Sequence, residues 1–200
     1  MKQIILIFAI SILSISTTLA EGYKVGDKAT DFSLKNVDGS MVSMKDFENA
    51  KGIIVIFTCN HCPYSVLYED RIIALDKKYK EKGYPVIAIN PNDPVKQPED
   101  SFPNMVIRAK EKGFTFPYVI DAGQRLTKVY GASRTPHVFL LEKVDTDYIV
   151  RYIGAIDDNS KAPEDVEEHF VANAVDALLA GEQPKTDFTK AIGCTIKWAD

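Results

Sequence analysis

The stretch that most constrains this chain is the junction at residues 52–63. Gly52-Ile53-Ile54-Val55-Ile56-Phe57-Thr58 is a continuous apolar, β-branched run. A run without polar alternation reads as a strand buried on both faces, as in a parallel sheet. It leads straight into Cys59-Asn60-His61-Cys62-Pro63 and then into a helical pattern, in which Tyr68, Ile72, Leu75 and Tyr79 recur at +4, +3 and +4. Strand, Cys-x-x-Cys and helix in that order are a far narrower signal than Cys-x-x-Cys alone. The helix start sets backbone N–H groups and the positive end of the dipole beside a thiol, which favours the thiolate. The spacing therefore predicts a redox-active Cys59–Cys62 disulfide. Cys59, exposed at the helix start, is expected to be the nucleophile, and Cys62, one turn inside, the resolving thiol. Pro63 is tolerated in a helix only near its first turn, which fixes the motif there. His61 is expected to lower the Cys59 pKa and make the pair a better oxidant.

Two other readings of the pair can be weighed on chemistry. A closed zinc site needs four ligands, and no second Cys-x-x-Cys or His-x-His cluster occurs in the sequence. No metal and no other cofactor is expected. An inert structural disulfide would gain little from closing so short a loop.

The remaining pattern alternates strands and helices. Phe32–Asn36 and Met41–Met44 flank the turn signal Asp38-Gly39. Pro85–Asn90 is a second buried strand, Ser101–Lys112 a helix, Phe116–Asp121 a strand and Gln124–Tyr130 a short helix. His137–Glu142 and Tyr148–Gly154 form a hairpin around Asp145-Thr146-Asp147. A last helix over 163–179 is expected to bury Val166, Phe170, Ala174 and Leu178. Strands alternating with helices, followed by an antiparallel pair, give an α/β fold with a mixed sheet. No repeat, low-complexity segment or linker divides residues 21–200, which read as one domain.

Residues 1–20 stand apart. Lys2, the apolar run Ile4–Ile15 and the small-x-small site Thr18-Leu19-Ala20 have the form of a signal peptide cleaved after Ala20. An uncleaved anchor is the competing reading. Export would deliver the chain to the periplasm (cell envelope) or outside the cell, an oxidising space. No later segment is apolar enough to span a bilayer, so no membrane association is expected after cleavage. The net charge of −4 and pI near 5.5 argue against a nucleic-acid partner. The chain is expected to be a monomer.

Three cysteines are too few for a disulfide scaffold. The third, Cys194, is open to two readings. It is an inert thiol packed by Ile192, Ile196 and Trp198, the reading preferred here, or a third redox thiol that the tail returns to Cys59 or Cys62.

Residues 25–198 resemble the thioredoxin-like redoxins of the AhpC/TSA (peroxiredoxin-related) superfamily. The resemblance rests on Val25-Gly26-Asp27-Lys28-Ala29-Thr30-Asp31-Phe32-Ser33-Leu34, Val42-Ser43-Met44-Lys45-Asp46-Phe47, Phe57-Thr58-Cys59-Asn60-His61-Cys62-Pro63-Tyr64 and Gly193-Cys194-Thr195-Ile196-Lys197-Trp198. The last two are similar to a peroxiredoxin-like branch with a thioredoxin-type dithiol. The resemblance implies a thioredoxin-like fold with an N-terminal hairpin, and an insertion between the second parallel strand and a cis-proline strand. It also implies that Thr135 and Pro136 lie beside the dithiol and offer backbone to an extended substrate. The implied activity is exported thiol–disulfide oxidoreduction on protein thiols. The alternatives are a thiol-dependent, antioxidant peroxidase and a copper or other metal module on the same fold. The peroxidase pattern Pro-x-x-x-Thr-x-x-Cys is met in neither frame: Val55 and Cys59 precede Cys62, and Gly52 and Ile56 precede Cys59. Thioredoxin's buried aspartate, six residues before its first cysteine, is Ile53 here. Glu69, Asp70 and Asn90 are then the candidate proton relay.

Overall fold

The computed structural model describes residues 22–200. The leader pattern at 1–20 lies outside the described residues. Thirteen regular elements follow in chain order: β1 (Ser33–Asn36), β2 (Met41–Ser43), β3 (Gly52–Phe57), α1 (Pro63–Tyr79), β4 (Val86–Asn90), α2 (Phe102–Lys112), β5 (Tyr118–Ile120), α3 (Arg125–Tyr130), β6 (Arg134–Thr135), β7 (His137–Val144), β8 (Asp147–Gly154), α4 (Phe170–Leu179) and β9 (Cys194–Thr195).

Seven strands form one mixed sheet in the order β2-β1-β5-β4-β3-β7-β8. β3, β4 and β5 run parallel, and β7 runs antiparallel to β3, with Phe57 opposite His137. β3 lies fully buried in the middle, as its unbroken apolar run requires. Its alternate side chains feed two cores. Ile54 and Ile56 face Tyr68, Ile72, Leu75 and Tyr79 of α1 and Val171, Ala174, Val175 and Leu178 of α4. Ile53, Val55 and Phe57 face Leu126 and Tyr130 of α3 on the other side. Between β4 and β7 lie α2, β5, α3 and β6, of which β5 extends the sheet toward the N-terminal hairpin β1–β2.

The last helix is shorter than its spacing predicts. The helix expected over 163–179 is a 3₁₀ turn at Pro163–Asp165, then a stretch without regular structure, with α4 starting only at Phe170. Glu164, Asp165, Glu167 and Glu168 would stack like charges at helical spacings of three and four. The start of α4 is instead tied by Val171 N–H donating to the Ile156 carbonyl at 3.2 Å.

The C-terminal tail docks on the body. β9 pairs antiparallel with β6 as a separate two-stranded sheet, with Thr195 opposite Arg134 and Cys194 opposite Thr135.

Candidate active site

The loop from Thr58 to Cys62 joins β3 to α1, and Pro63 is the first helical residue. Proline suits that position, because the N–H it lacks would have no helical acceptor. Cys62 is therefore the N-cap, and its carbonyl accepts the first helical hydrogen bond from Val66 N–H at 3.0 Å. The whole Cys-x-x-Cys lies one turn earlier than the expected arrangement. The second cysteine, not the first, sits at the helix start, and the position one turn inside is the buried Ser65.

Cys59 is accordingly not an exposed thiol. Cys59 is 2% exposed and Cys62 fully buried; the Cys59 Sγ lies 3.3 Å from Thr135 Oγ1, 3.6 Å from His61 Nδ1 and 3.8 Å from Ser65 Oγ. Burial pushes its pKa up to about 11, and the charge of Asp100 adds to the rise. The expected depression of the Cys59 pKa is overturned: desolvation and a carboxylate outweigh the hydrogen bonds shared with Thr135, the Cys62 backbone and Ser65. His61 stands beside the thiol as expected, but the groups that set the direction of the shift are others.

Asp100 organises this loop. It is fully buried at the end of a 3₁₀ turn, Pro98–Asp100. One oxygen accepts from the N–H groups of Asn60 at 2.7 Å and His61 at 3.1 Å; the other meets His61 Nδ1 at 2.5 Å and accepts from Asn92 Nδ2 at 2.6 Å. Asn60 is held further by Tyr118, whose hydroxyl donates to its Oδ1 at 2.9 Å. Nothing local in the sequence singles out Asp100, which acts on the motif from about forty positions away.

The disulfide differs from the expected one. Cys62 is bonded to Cys194 across a separation of 132 residues, and Cys59 is the free cysteine. The preferred reading of Cys194 as an inert, unpaired thiol is overturned. Pairing of β9 with β6 carries Cys194 to the helix start, a long-range contact that no local pattern announces. Thr135 is where the sulfurs meet: Cys62 Sγ lies 3.2 Å from its carbonyl oxygen, Cys59 Sγ 3.3 Å from its hydroxyl. The Thr135–Pro136 peptide bond is cis.

The proposed relay residues part company. Glu69 is buried and lines a small recess with Cys59, but its carboxylate is clamped by Arg108 at 2.6 and 2.8 Å and by Lys112 at 3.2 Å. The Asp70 side chain is 86% exposed, 3.9 Å from Lys112 Nζ, on the solvent side of α1. Asn90 is buried at the end of β4, where it donates to the Asp100 carbonyl at 2.9 Å and accepts from Asn92 N–H at 3.1 Å. It supports the Asp100 turn.

Cys59, His61 and Asp100 are also the one metal-ligand type of cluster among the described residues, with ligand atoms within 4.8 Å of one another. The Asp100 oxygens are already engaged by the loop, so a metal there would have to break the contacts that hold the loop.

The redoxin family model matches residues 24–170. The chain belongs to the redoxin family. This redoxin is 29% identical over 158 residues to the thiol-disulfide oxidoreductase ResA of Bacillus thuringiensis subsp. konkukian (strain 97-27), a match spanning 72% of this chain and 85% of that one. Its structure is similar to that of a hypothetical protein from Sinorhizobium meliloti 1021, at 33% identity and a TM-score of 0.82 over 90% of this chain and 97% of that one. A thiol:disulfide interchange protein of the thioredoxin family from Chlorobium tepidum TLS shares the fold, at 19% identity and a TM-score of 0.53 over 66% and 87% of the two chains. The redoxin thus has a thioredoxin-like α/β fold, a seven-stranded mixed sheet flanked by helices.

Proposed function

We propose that this redoxin, an oxidoreductase of the thioredoxin type, exchanges disulfides with the thiols of other proteins after export, and that Cys62 is the sulfur that enters the mixed disulfide. The observation that carries this reading is the place of Cys62, at the N-cap of α1 and 3.2 Å from the Thr135 carbonyl. First-turn N–H groups without helical acceptors, together with the dipole, favour a thiolate on that sulfur once its disulfide is reduced. Backbone at Thr135 gives an extended substrate an edge to pair with, which would hold its disulfide in line with Cys62. Attack by the Cys62 thiolate forms the mixed disulfide and frees one substrate thiol; a second enzyme thiol then attacks Cys62 Sγ and frees the other. Thr135 and Pro136 lie on the substrate side of Cys62. The leader pattern at 1–20 supports export, and a protein thiol partner fits the 29% identity to a thiol-disulfide oxidoreductase.

Insulin reduction with dithiothreitol tests the activity. The wild type should accelerate precipitation of the insulin B chain, and Cys62→Ser should fall to the rate of dithiothreitol alone. Peroxide consumption without insulin reduction would overturn the reading. Fractionation of producing cells should find a chain beginning at Glu21 outside the cytosol.

A further inference from the structure

The structure assigns the resolving role to Cys194 of the C-terminal tail rather than to the other half of the Cys-x-x-Cys, an inference that rests on the exchange chemistry proposed above.

Three observations converge on this. The first is delivery. The tail is anchored on both sides of Cys194. Upstream, Thr189 N–H donates to the Ile153 carbonyl at 2.9 Å, and its hydroxyl accepts from Ala155 N–H at 2.9 Å. Downstream, Ile196 is buried, Lys197 N–H donates to Asn92 Oδ1 at 2.8 Å, and Lys197's carbonyl accepts from Asp93 N–H at 2.9 Å and Gln124 Nε2 at 2.8 Å. The bridge between these anchors, residues 190–195, is short, so the two anchors keep Cys194 close to Cys62.

The second is fit. Gly193 lies against the Thr135 backbone, and a Cβ there would come within 2.6 Å of the Thr135 carbonyl carbon and 3.1 Å of Pro136 N. Only glycine lets the strand approach closely enough to bring Cys194 onto Cys62, and the register sets Cys194 opposite Thr135. A cysteine on an extended segment, paired with Thr135 and joined to Cys62, has the geometry of a mixed disulfide with a substrate chain. The tail holds that geometry within one molecule.

The third is the state of the alternative. Cys59 is the free thiol while Cys62 and Cys194 are bonded. Cys59 and Cys62 are both buried, so burial does not separate them; Cys59 also faces the Asp100 charge, its pKa is pushed up to about 11, and it lacks the helix-cap position of Cys62, which leaves it the poorer attacking group.

One half-reaction balances with one substrate disulfide, and a dithiol reductant such as dithiothreitol then returns Cys62–Cys194 to the dithiol by the same exchange. The Cys62 thiolate attacks it; a Cys62–substrate bond forms, the substrate S–S bond breaks, and one substrate thiolate leaves and takes up a proton. β9 returns to β6, and the Cys194 thiolate attacks Cys62 Sγ. The Cys62–Cys194 bond forms, the Cys62–substrate bond breaks, and the second substrate thiolate leaves and takes up a proton. The substrate is reduced by two electrons and the Cys62/Cys194 dithiol is oxidised by two. Because the tail and an extended substrate pair with the same edge of Thr135, the returning strand displaces the substrate backbone as its sulfur displaces the substrate sulfur.

The test mixes reduced protein with insulin, quenches with acid and maps disulfides by mass spectrometry. Wild type and Cys59→Ser should clear the Cys62–insulin adduct and end with Cys62–Cys194. Cys194→Ser should accumulate the adduct. Gly193→Ala keeps all three thiols and should lengthen the adduct's life by roughly ten- to a hundredfold, since misplacing reacting atoms by about 1 Å costs on the order of a hundredfold. Clearance by Cys194→Ser at the wild-type rate, or accumulation by Cys59→Ser, would overturn the assignment while leaving the exchange reading intact. Absence of any adduct in the wild type and all variants would sink both.

Discussion

At the scale of single residues, the two cysteines of the motif differ because a short loop gives them different surroundings. Both are buried, but Cys62 caps a helix, whereas Cys59 lies against Thr135 with a carboxylate nearby. Desolvation penalises the thiolate, and Asp100 penalises it further, so the Cys59 proton is held more tightly than in water. The sign follows directly: a raised pKa means less thiolate at every pH below it. At pH 7 a thiol with a pKa of about 11 is ionised in roughly one molecule in ten thousand. With Cys62 and Cys194 bonded, the rate of Cys59 alkylation by iodoacetamide should climb about tenfold per pH unit from pH 7, with no plateau below pH 10. Asp100→Asn should move the inflection down, because it removes the charge and keeps a hydrogen-bonding side chain. A wild-type inflection below pH 9 would mean that the helix start, not the burial, governs this sulfur.

At the scale of elements, α1 is fixed to the sheet by its apolar stripe and to α2 by ions. Glu69 of α1 is buried, and Arg108 and Lys112 of α2 close over it. Removing one partner from a buried carboxylate costs more than the pair contributes, because the charge stays behind. Arg108→Ala should lower stability in urea by about 2–3 kcal/mol, less than a fully buried pair would lose, because Lys112 remains. The double variant Glu69→Gln/Arg108→Ala should recover part of that loss; a single-variant change under about 0.5 kcal/mol would show the clip to be an ordinary surface pair. The stripe on α1 and the apolar run of β3 were legible because burial writes a period into the sequence. The helix over 163–169 was misread because two apolar residues four apart matched that period, while four acids between them opposed it. The site was legible in its location and not in its wiring. The Cys-x-x-Cys junction and Thr135-Pro136 lie together, as the resemblance implied. The one-turn offset of the motif was written only in Pro63, whose place as the first helical residue makes Cys62 the cap. Asp100 and Cys194 reach the motif through tertiary contacts about 40 and 132 positions away, and no local pattern records such contacts.

At the scale of the whole molecule, the Cys62–Cys194 bond closes a loop holding most of the fold, from the start of α1 through β4, β5, β7, β8 and α4 to the tail. A cross-link over 132 residues removes much of the unfolded chain's freedom, and in the chain-entropy account a loop of that length is worth about 5 kcal/mol. A Cys59–Cys62 bond would close almost nothing and stabilise correspondingly less. The location of the disulfide is therefore readable from stability alone. The oxidised protein should unfold in urea with a free energy up to about 5 kcal/mol above that of the reduced protein, and its melting temperature should lie about 10 °C higher. Cys194→Ser should bring the oxidised protein down to the reduced value, and reductant should then have little further effect. Cys59→Ser should keep the full response to reductant, because the long loop still closes without it. If Cys59→Ser abolished that response and Cys194→Ser preserved it, the stabilising bond in solution would run through Cys59, and the tail would be docked by its hydrogen bonds and Ile196 alone.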